Sequence, residues 1–319
     1  AYVKKINSQV MELSKAKSKC YGSSFLLGEM PDWNPAEIIG TNPNLLASSL
    51  YQYLITNKVW SSSRHMMGYK NIRHPLLIMI GNHPYVDVKL SLNSFLPKGL
   101  KANIAKKIID EQIDFLIKNP HLHDKLEFEV ATTSWDFDLS KRLKRLSSAG
   151  LTKNEITTFE NTIKKHTIEI IKNKNLEIKT LINKVNKLER KIKDISCDNS
   201  LNAIFQTLDS TIKYGTIPFS ILARQAFISV AILRSLVKNN YISQLDYDNF
   251  MGSINNVTTK FVNDMYLVSK NKISKEKFLI QYGHLRPGTY DINVLRYDEN
   301  AEYYLSGKNL KPFKHSNFS

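Results

Sequence analysis

At 319 residues with 42% hydrophobic residues, the chain is long enough to bury one large core or two ordinary ones. Its only cysteines, Cys20 and Cys197, are too few and too far apart in sequence for a disulfide scaffold or a zinc module, which fits a reducing cytosol. The formal net charge of +16 makes a polyanion or a membrane surface a partner to be weighed, but the lysines spread along the chain without interleaved aromatic residues, which disfavours nucleic acid.

No run approaches the roughly 20 apolar residues needed to span a bilayer, so no membrane partner is expected. The longest, Leu76 to Ile80, is strand-sized. No signal-peptide pattern is seen, and the expected location is the cytoplasm. The chain starts with Ala1, and together with the motifs it lacks this is read as a piece of a longer polypeptide.

Residues 1 to 20 read as a lysine-rich helix or linker from a preceding domain. Residues 21 to 45 are loop with a short helix started by Asn34 as N-cap, Pro35 at the first helical position and Glu37 closing a capping-box-like pair. A helix follows from about Asn44 to Asn57. Pro75 to Ile80 and Tyr85 to Leu90 read as strands joined by Gly81-Asn82-His83-Pro84, a hairpin signal. In the second run Tyr85, Asp87 and Lys89 alternate with Val86 and Val88. Residues 98 to 118 have a helical period through Ile104, Ile108, Ile109, Ile113 and Leu116. Leu126 to Ala131 reads as a third strand with Phe128 and Val130 in phase.

Thr152 to Ile195 is the strongest local signal. Thr152 and Glu155 form a capping box, and no Gly or Pro interrupts the segment. Ile178, Leu181, Val185, Leu188, Ile192 and Ile195 step by three and four, as in a coiled-coil seam. The segment is expected to be one long helix or a helical hairpin bending near Asn173 to Asn175. It serves either as a dimerisation arm or, by preference, packs within its own domain. Residues 200 to 237 and 244 to 270 are further helical stretches, the first kinked or broken at Pro218. Ser274 to Gln281 is a last short helix. His121, His123, His166 and His315 read as surface residues. The expected fold is mainly α with a small antiparallel β-sheet and a long helical arm or hairpin. Its segments are 1–20, 21–151, 152–197 and 198–319, all in one substrate-binding unit.

No phosphate-binding glycine loop, dinucleotide fingerprint, nucleophile elbow or metal-ligand spacing occurs, so no metal or cofactor is expected on this chain itself. The densest chemistry lies in Tyr282-Gly283-His284-Leu285-Arg286-Pro287-Gly288-Thr289-Tyr290-Asp291, followed by Arg296-Tyr297-Asp298-Glu299. Gly283 and Gly288 permit close backbone approach to a ligand, and an Arg fork suits a carboxylate or phosphate. The same residues equally suit a rigid loop whose Arg and Asp pair with each other.

The GHLRPGTYDI segment and the RYDE that follows resemble a signature segment of phosphoenolpyruvate synthases and related ATP-grasp, phosphohistidine-relay phosphotransferases. PDWNPAEIIG, LASSLYQYLIT, HPYVDVKLSLNSFLP and GTIPFSILARQAFI resemble a narrower branch that includes the L-glutamine kinases of capsular O-methyl phosphoramidate synthesis. The resemblance runs from about Asp32 to Tyr304. It implies a central acceptor-binding domain, with ATP-grasp and phosphohistidine domains elsewhere in the same polypeptide supplying ATP and Mg chemistry. Leu285, Arg286 and Thr289 depart from the broader pattern, so pyruvate chemistry is not implied.

If the acceptor is L-glutamine or a similar small molecule, its carboxylate and the incoming phosphoryl oxygens call for Arg286 and Arg224. Its ammonium calls for Asp291 or Asp87. His284 is a candidate base or phosphoryl stabiliser, and Tyr290 adds a hydroxyl. His83, Tyr85, Lys89 and Arg296 are of second rank. Structural roles compete with each: Arg224 capping a buried carboxylate, Asp87 with Lys89 pairing on one strand face, His83 shaping a turn. Asp32 and Asn34 are read as caps.

Overall fold

The computed structural model describes residues 8, 11, 20–195, 200–254, 256–287 and 294–306. The helix expected over residues 1 to 20 therefore lies largely outside the described residues, as do Cys197, Tyr290, Asp291 and His315. The chain divides into two compact units, residues 1–235 and 236–319.

The first unit opens with β1 (Leu27–Gly28) and the short α1 (Pro35–Ile38). Pro35 takes the first helical position, but Asn34 does not cap the helix. Its backbone is left-handed (φ 43°), and its side-chain amide donates to Glu37 Oε2 at 3.1 Å. Next come α2 (Leu45–Tyr51), capped by Asn44 and continued by a π turn over Gln52–Thr56, and α3 (Val59–Met66). β2 (Leu77–Ile80) and β3 (His83–Asp87) form the expected hairpin. Its turn is only Gly81 and Asn82, both at positive φ (57° and 67°), the geometry that matches strand twist in a two-residue loop. β3 is central in the sheet order β1-β3-β2. Pro84 is tolerated there because β1 reaches only Val86 and Asp87, leaving β3 an edge at Pro84.

The strand does not run on to Leu90 as expected. Asp87 turns its side chain onto the Leu90 amide at 3.0 Å and starts α4 (Val88–Ser94). The alternation that resembled a strand is overridden by burial of all seven residues of this helix. α5 (Ala102–Lys118) follows, and every apolar position that marked its period is buried. Each fully buried Ile there contributes about 1.5–3 kcal/mol of transfer free energy.

A 3₁₀ turn (Pro120–Lys125) leads into residues 126–131, which, expected as a strand, instead form a π turn over Leu126–Val130. Leu126 and Val130, four apart, go inward, and Phe128 stays 53% exposed. An alternating pattern of five residues fits both periods, and packing against α5 selects the helical one. The sheet's third strand is β1, which the sequence did not suggest. Two single-turn helices, α6 (Leu139–Arg142) and α7 (Arg145–Ser148), lead to α8 (Lys153–Lys172) with its Thr152/Glu155 capping box formed.

α8 ends at Asn173, whose side chain bonds the Asn175 amide at 3.0 Å. α9 (Ile178–Ile195) then begins, so the long segment is two helices breaking where a bend was expected. α9 packs against α10 (Leu201–Thr211) and the π turn Ile212–Thr216. A Cβ on Gly215 would sit 3.0 Å from Leu188 Cδ2, so glycine is what allows this close approach. α11 (Ile217–Lys238) continues from the π turn without a break. The widened turn accommodates Pro218, which otherwise clashes with the carbonyl four residues back, so the kink expected at the proline becomes a bulge before it. The continuous helix Leu201–Lys238 is long and apolar enough to cross a membrane. No unbroken apolar run marks it in the sequence because Lys213 and Arg224 interrupt it; Arg224 is itself buried and ion-paired within the first unit.

The second unit holds α12 (Gln244–Ser253), α13 (Val257–Ser269), α14 (Lys275–Tyr282) and α15 (Ala301–Tyr304) around a core of Met265, Val268, Phe278, Tyr282, Tyr297 and Leu305. The result is mainly α with one small antiparallel sheet, as the sequence implied.

Candidate functional site

The first unit buries a group of charges around the Phe95 ring. Asp32 follows β1 on a turn that holds it at a left-handed φ of 64°, a conformation uncommon for a non-glycine residue. α3 brings Arg64 in its last turn. Arg64 grips both carboxylate oxygens of Asp32 and donates to Ser94 Oγ at 2.6 Å. α4 supplies Ser91, which donates to Asp32 Oδ2 at 2.7 Å. Ser91, Ser94 and Phe95 share a face because they are spaced at three and four residues. α11 supplies Arg224, which pairs with Glu127 of the π turn. The Arg64 Cζ lies 4.0 Å from the Phe95 ring centroid and the Arg224 Cζ 4.8 Å, so two cations lean on one aromatic ring.

Both guanidiniums are nearly sealed, Arg64 at 4% and Arg224 at 5% exposure. Burial alone would raise the Asp32 carboxyl pKa. The Arg64 charge and the bonds from Arg64 and Ser91 outweigh it and hold Asp32 below the usual carboxylate range. For Arg224 burial works to lower the pKa, and the neighbouring Glu127 carboxylate reverses the sign, leaving it raised. Tyr69 donates to the Thr133 carbonyl at 2.6 Å, and burial raises its pKa. Tyr51 donates to the Trp33 carbonyl at 2.7 Å, and burial, helped by the Asp32 charge, raises it too. The group thus holds two permanent cations and two carboxylates with no net charge. Glu127 is its most accessible member, its side chain 14% exposed.

Of the residues singled out from sequence, Arg224 lies in this group, in the carboxylate-capping role weighed for it. The hairpin residues do not. His83 Nε2 lies 3.1 Å from Glu29 Oε1, and its ring rests 4.9 Å from that of Tyr85. Asp87 is occupied as the cap of α4. Burial pushes its carboxyl up, against the Leu90 amide and the Lys89 charge. Lys89 is a buried residue of α4, so the expected strand-face pairing with Asp87 is not formed.

In the second unit, His284 is exposed at the end of α14. Arg286 Nε donates to the Val294 carbonyl at 2.8 Å. Arg296 Nε pairs with Asp298 at 2.9 Å and approaches Glu299 at 3.4 Å. The amides of Tyr297 and Asp298 bond the carbonyls of Leu285 and Gly283. A Cβ on Gly283 would meet the Leu279 carbonyl at 2.5 Å and Asp298 Cβ at 3.0 Å. This glycine therefore serves the fold of the loop. Tyr282 donates to Asp264 at 2.8 Å, and its pKa is pushed up to about 12 by burial and that bond. Arg296 plays the self-pairing role weighed for it. Tyr290 and Asp291, the loop's other candidates, lie outside the described residues.

His166, read from sequence as a surface residue, is buried. Its ring lies 4.3 Å from that of Tyr69, Nε2 bonds the Met67 carbonyl at 3.0 Å, and Nδ1 has no partner. Asp32, read as a cap, is the ion-pair partner of Arg64. Arg64, Ser91 and Glu127 were not singled out at all. The available signal was a lone arginine among the serines of Ser61 to Ser63, and two serines three apart inside the apolar run of α4. Comparison with protein-family models, with curated proteins and with solved structures returned no match.

Proposed function

We propose that this chain is the acceptor-binding part of a cytoplasmic phosphotransferase that takes phosphate from ATP through a phosphohistidine on another domain and delivers it to the amide nitrogen of L-glutamine. The observation that carries the reading is the Arg224–Glu127 pair at the accessible edge of the buried charge group, with Arg64–Asp32 behind it. An amino acid presents a carboxylate and an ammonium close together. A guanidinium and a carboxylate held side by side are the complement of that zwitterion, and binding exchanges one ion pair for two. The resemblance of the segments bearing Asp32, Ser91 and Arg224 to the glutamine-kinase branch supports the same reading.

The chemistry breaks the histidine N–P bond, forms an N–P bond to the amide nitrogen and releases one amide proton to a base. The amide lone pair is delocalised, so the base must be positioned as the bond forms. ATP and Mg belong to the other domains in this scheme. Among the described residues no group of His, Cys, Asp and Glu gathers as a metal site, and no step here is routed through one.

Titration calorimetry tests the binding half. The chain is expected to give a saturable heat with L-glutamine. Glutaramate, which keeps the amide and the carboxylate but lacks the ammonium, is expected to bind at least about tenfold more weakly. Glu127→Gln removes the charge that would hold the ammonium and is expected to abolish that preference while leaving the circular dichroism spectrum unchanged. Saturable binding of a different small acceptor would move the reading to a sister kinase. Silence with every amino acid and small acid would end it.

A further inference from the structure

The six seam positions of α9 divide into two sets. Leu181 is fully buried in the cluster with Ile170, Ile221 and Ile228, Leu188 lies against Gly215 of the π turn, and Leu188 and Ile195 are half-buried. Ile178, Val185 and Ile192, seven residues apart, remain 57%, 38% and 37% exposed, joined by Ile182 at 45%. A heptad seam is therefore half occupied: one row of knobs is packed inside the unit, and the adjoining row is bare. At its N-terminal end the bare row runs into a groove of about 620 Å³ between the end of α8, α9 and α11, floored by Ile170, Leu176, Ile178, Ile182, Ile228 and Ile232.

The charge beside this stripe is one-sided. Between Ile178 and Ile195 stand Lys179, Lys184, Lys187, Arg190, Lys191 and Lys193 against Glu189 and Asp194, six positive and two negative, a net +4. Lys184 and Lys191 occupy the positions directly before the exposed Val185 and Ile192, where flanking charges of a coiled coil choose the partner, and Glu177 holds the matching position before Ile178 beside Lys179. A second copy of α9 carries the same net positive charge, so the two stripes repel. A bilayer would be attracted by the charge, but a planar surface cannot enter a concave groove, whereas the side chains of a helix can.

We infer that the bare row of α9, together with the groove at its N-terminal end, is a docking surface for an acidic amphipathic helix of a partner protein, which completes the seam as a third helix beside α9 and α10. The partner's apolar row fills the groove and covers Ile178, Val185 and Ile192, and its Glu or Asp flanks meet Lys179, Lys184 and Lys191. This stands apart from the acceptor site, because none of these residues belongs to the charge group around Phe95.

The probe is a designed helical peptide of about four heptads, with Ile and Leu in the seam and Glu at the flanking positions, followed by fluorescence anisotropy. The expected result is saturable binding that weakens as salt rises, and no binding of the same peptide with Lys at the flanks. Ile178→Asp with Val185→Asp is expected to weaken binding about tenfold or more, without loss of helicity, since both side chains are already exposed. Lys184→Glu with Lys191→Glu is expected to reverse the preference toward the Lys-flanked peptide. Failure to bind, or binding indifferent to the flanking charge, would falsify the inference. So would self-association of the chain in sedimentation that Val185→Asp abolishes, or flotation with phosphatidylserine vesicles that depends on the same residues.

Discussion

Arg64 and Asp32 show how much of the buried charge rests on one pairing. The guanidinium has a carboxylate, a serine hydroxyl and an aromatic face, and the carboxylate has Arg64 and Ser91. Arg64→Ala would leave a buried carboxylate with one hydroxyl, and the expected loss is about 3–5 kcal/mol in chemical denaturation. Replacing both, as Arg64→Leu with Asp32→Ala, removes the stranded charge and is expected to recover most of that loss. If the double variant is as unstable as Arg64→Ala, the cost lies in packing on Phe95 rather than in charge. His166 gives a second measurement. Burial lowers its pKa, only partly offset by the Met67 carbonyl and by Glu169. A histidine depressed in the folded state is held neutral there, and protonation favours the unfolded chain. Stability is therefore full above the unfolded value of about 6.5 and falls as pH drops below it. The urea midpoint is expected to fall between pH 7.5 and 5.5 in the wild type and to fall less in His166→Gln, which keeps a donor for the Met67 carbonyl. An equal fall in both would assign the acid sensitivity to other groups.

At the scale of elements, what could be read in advance depended on whether one signal decided the structure. α5 was legible because five buried positions repeat over seventeen residues, and α8 because its capping box is a local bond pair. The β2–β3 turn was legible from Gly81-Asn82, which tolerate the positive φ required. α4 was not, because every one of its residues is buried: without a solvent-facing side no helical period appears, the alternation through Lys89 suggests a strand, and only the Asp87 cap marks its start. The π turn at Leu126–Val130 was misread for the opposite reason, a short run that satisfies both periods. The charge group was hidden in a different way. Its members come from β1's following turn, α3, α4, the π turn and α11, separated by up to 192 residues in the case of Asp32 and Arg224. Each looks ordinary in its own neighbourhood. Ion pairs of this kind exist only after the helices pack, so the sequence offered Arg224 through a family resemblance and offered Glu127 not at all.

Over the whole molecule the +16 charge must act on any polyanion it meets, whatever the protein's function. The question is whether that attraction is a site. A nucleic-acid reader aligns cations with base-stacking or base-bonding groups, and its preference among sequences survives salt. Here the densest positive stretch, on α9, borders an apolar row of isoleucine and valine and carries no aromatic residue. Arg64 and Arg224, two arginines that could otherwise grip a phosphate with both arms, are buried and ion-paired. Duplex DNA is therefore expected to bind at low salt through counterion release alone. The logarithm of the association constant should fall linearly with the logarithm of salt, with the same slope and intercept for two unrelated duplexes, in anisotropy titrations. Charge reversal at Lys184 and Lys191 should lower that slope by no more than the few phosphates those lysines can neutralise, about one each. A preference for one duplex of about tenfold that persists as salt rises would show directed contacts, and would make nucleic acid rather than a small acceptor the first partner to pursue.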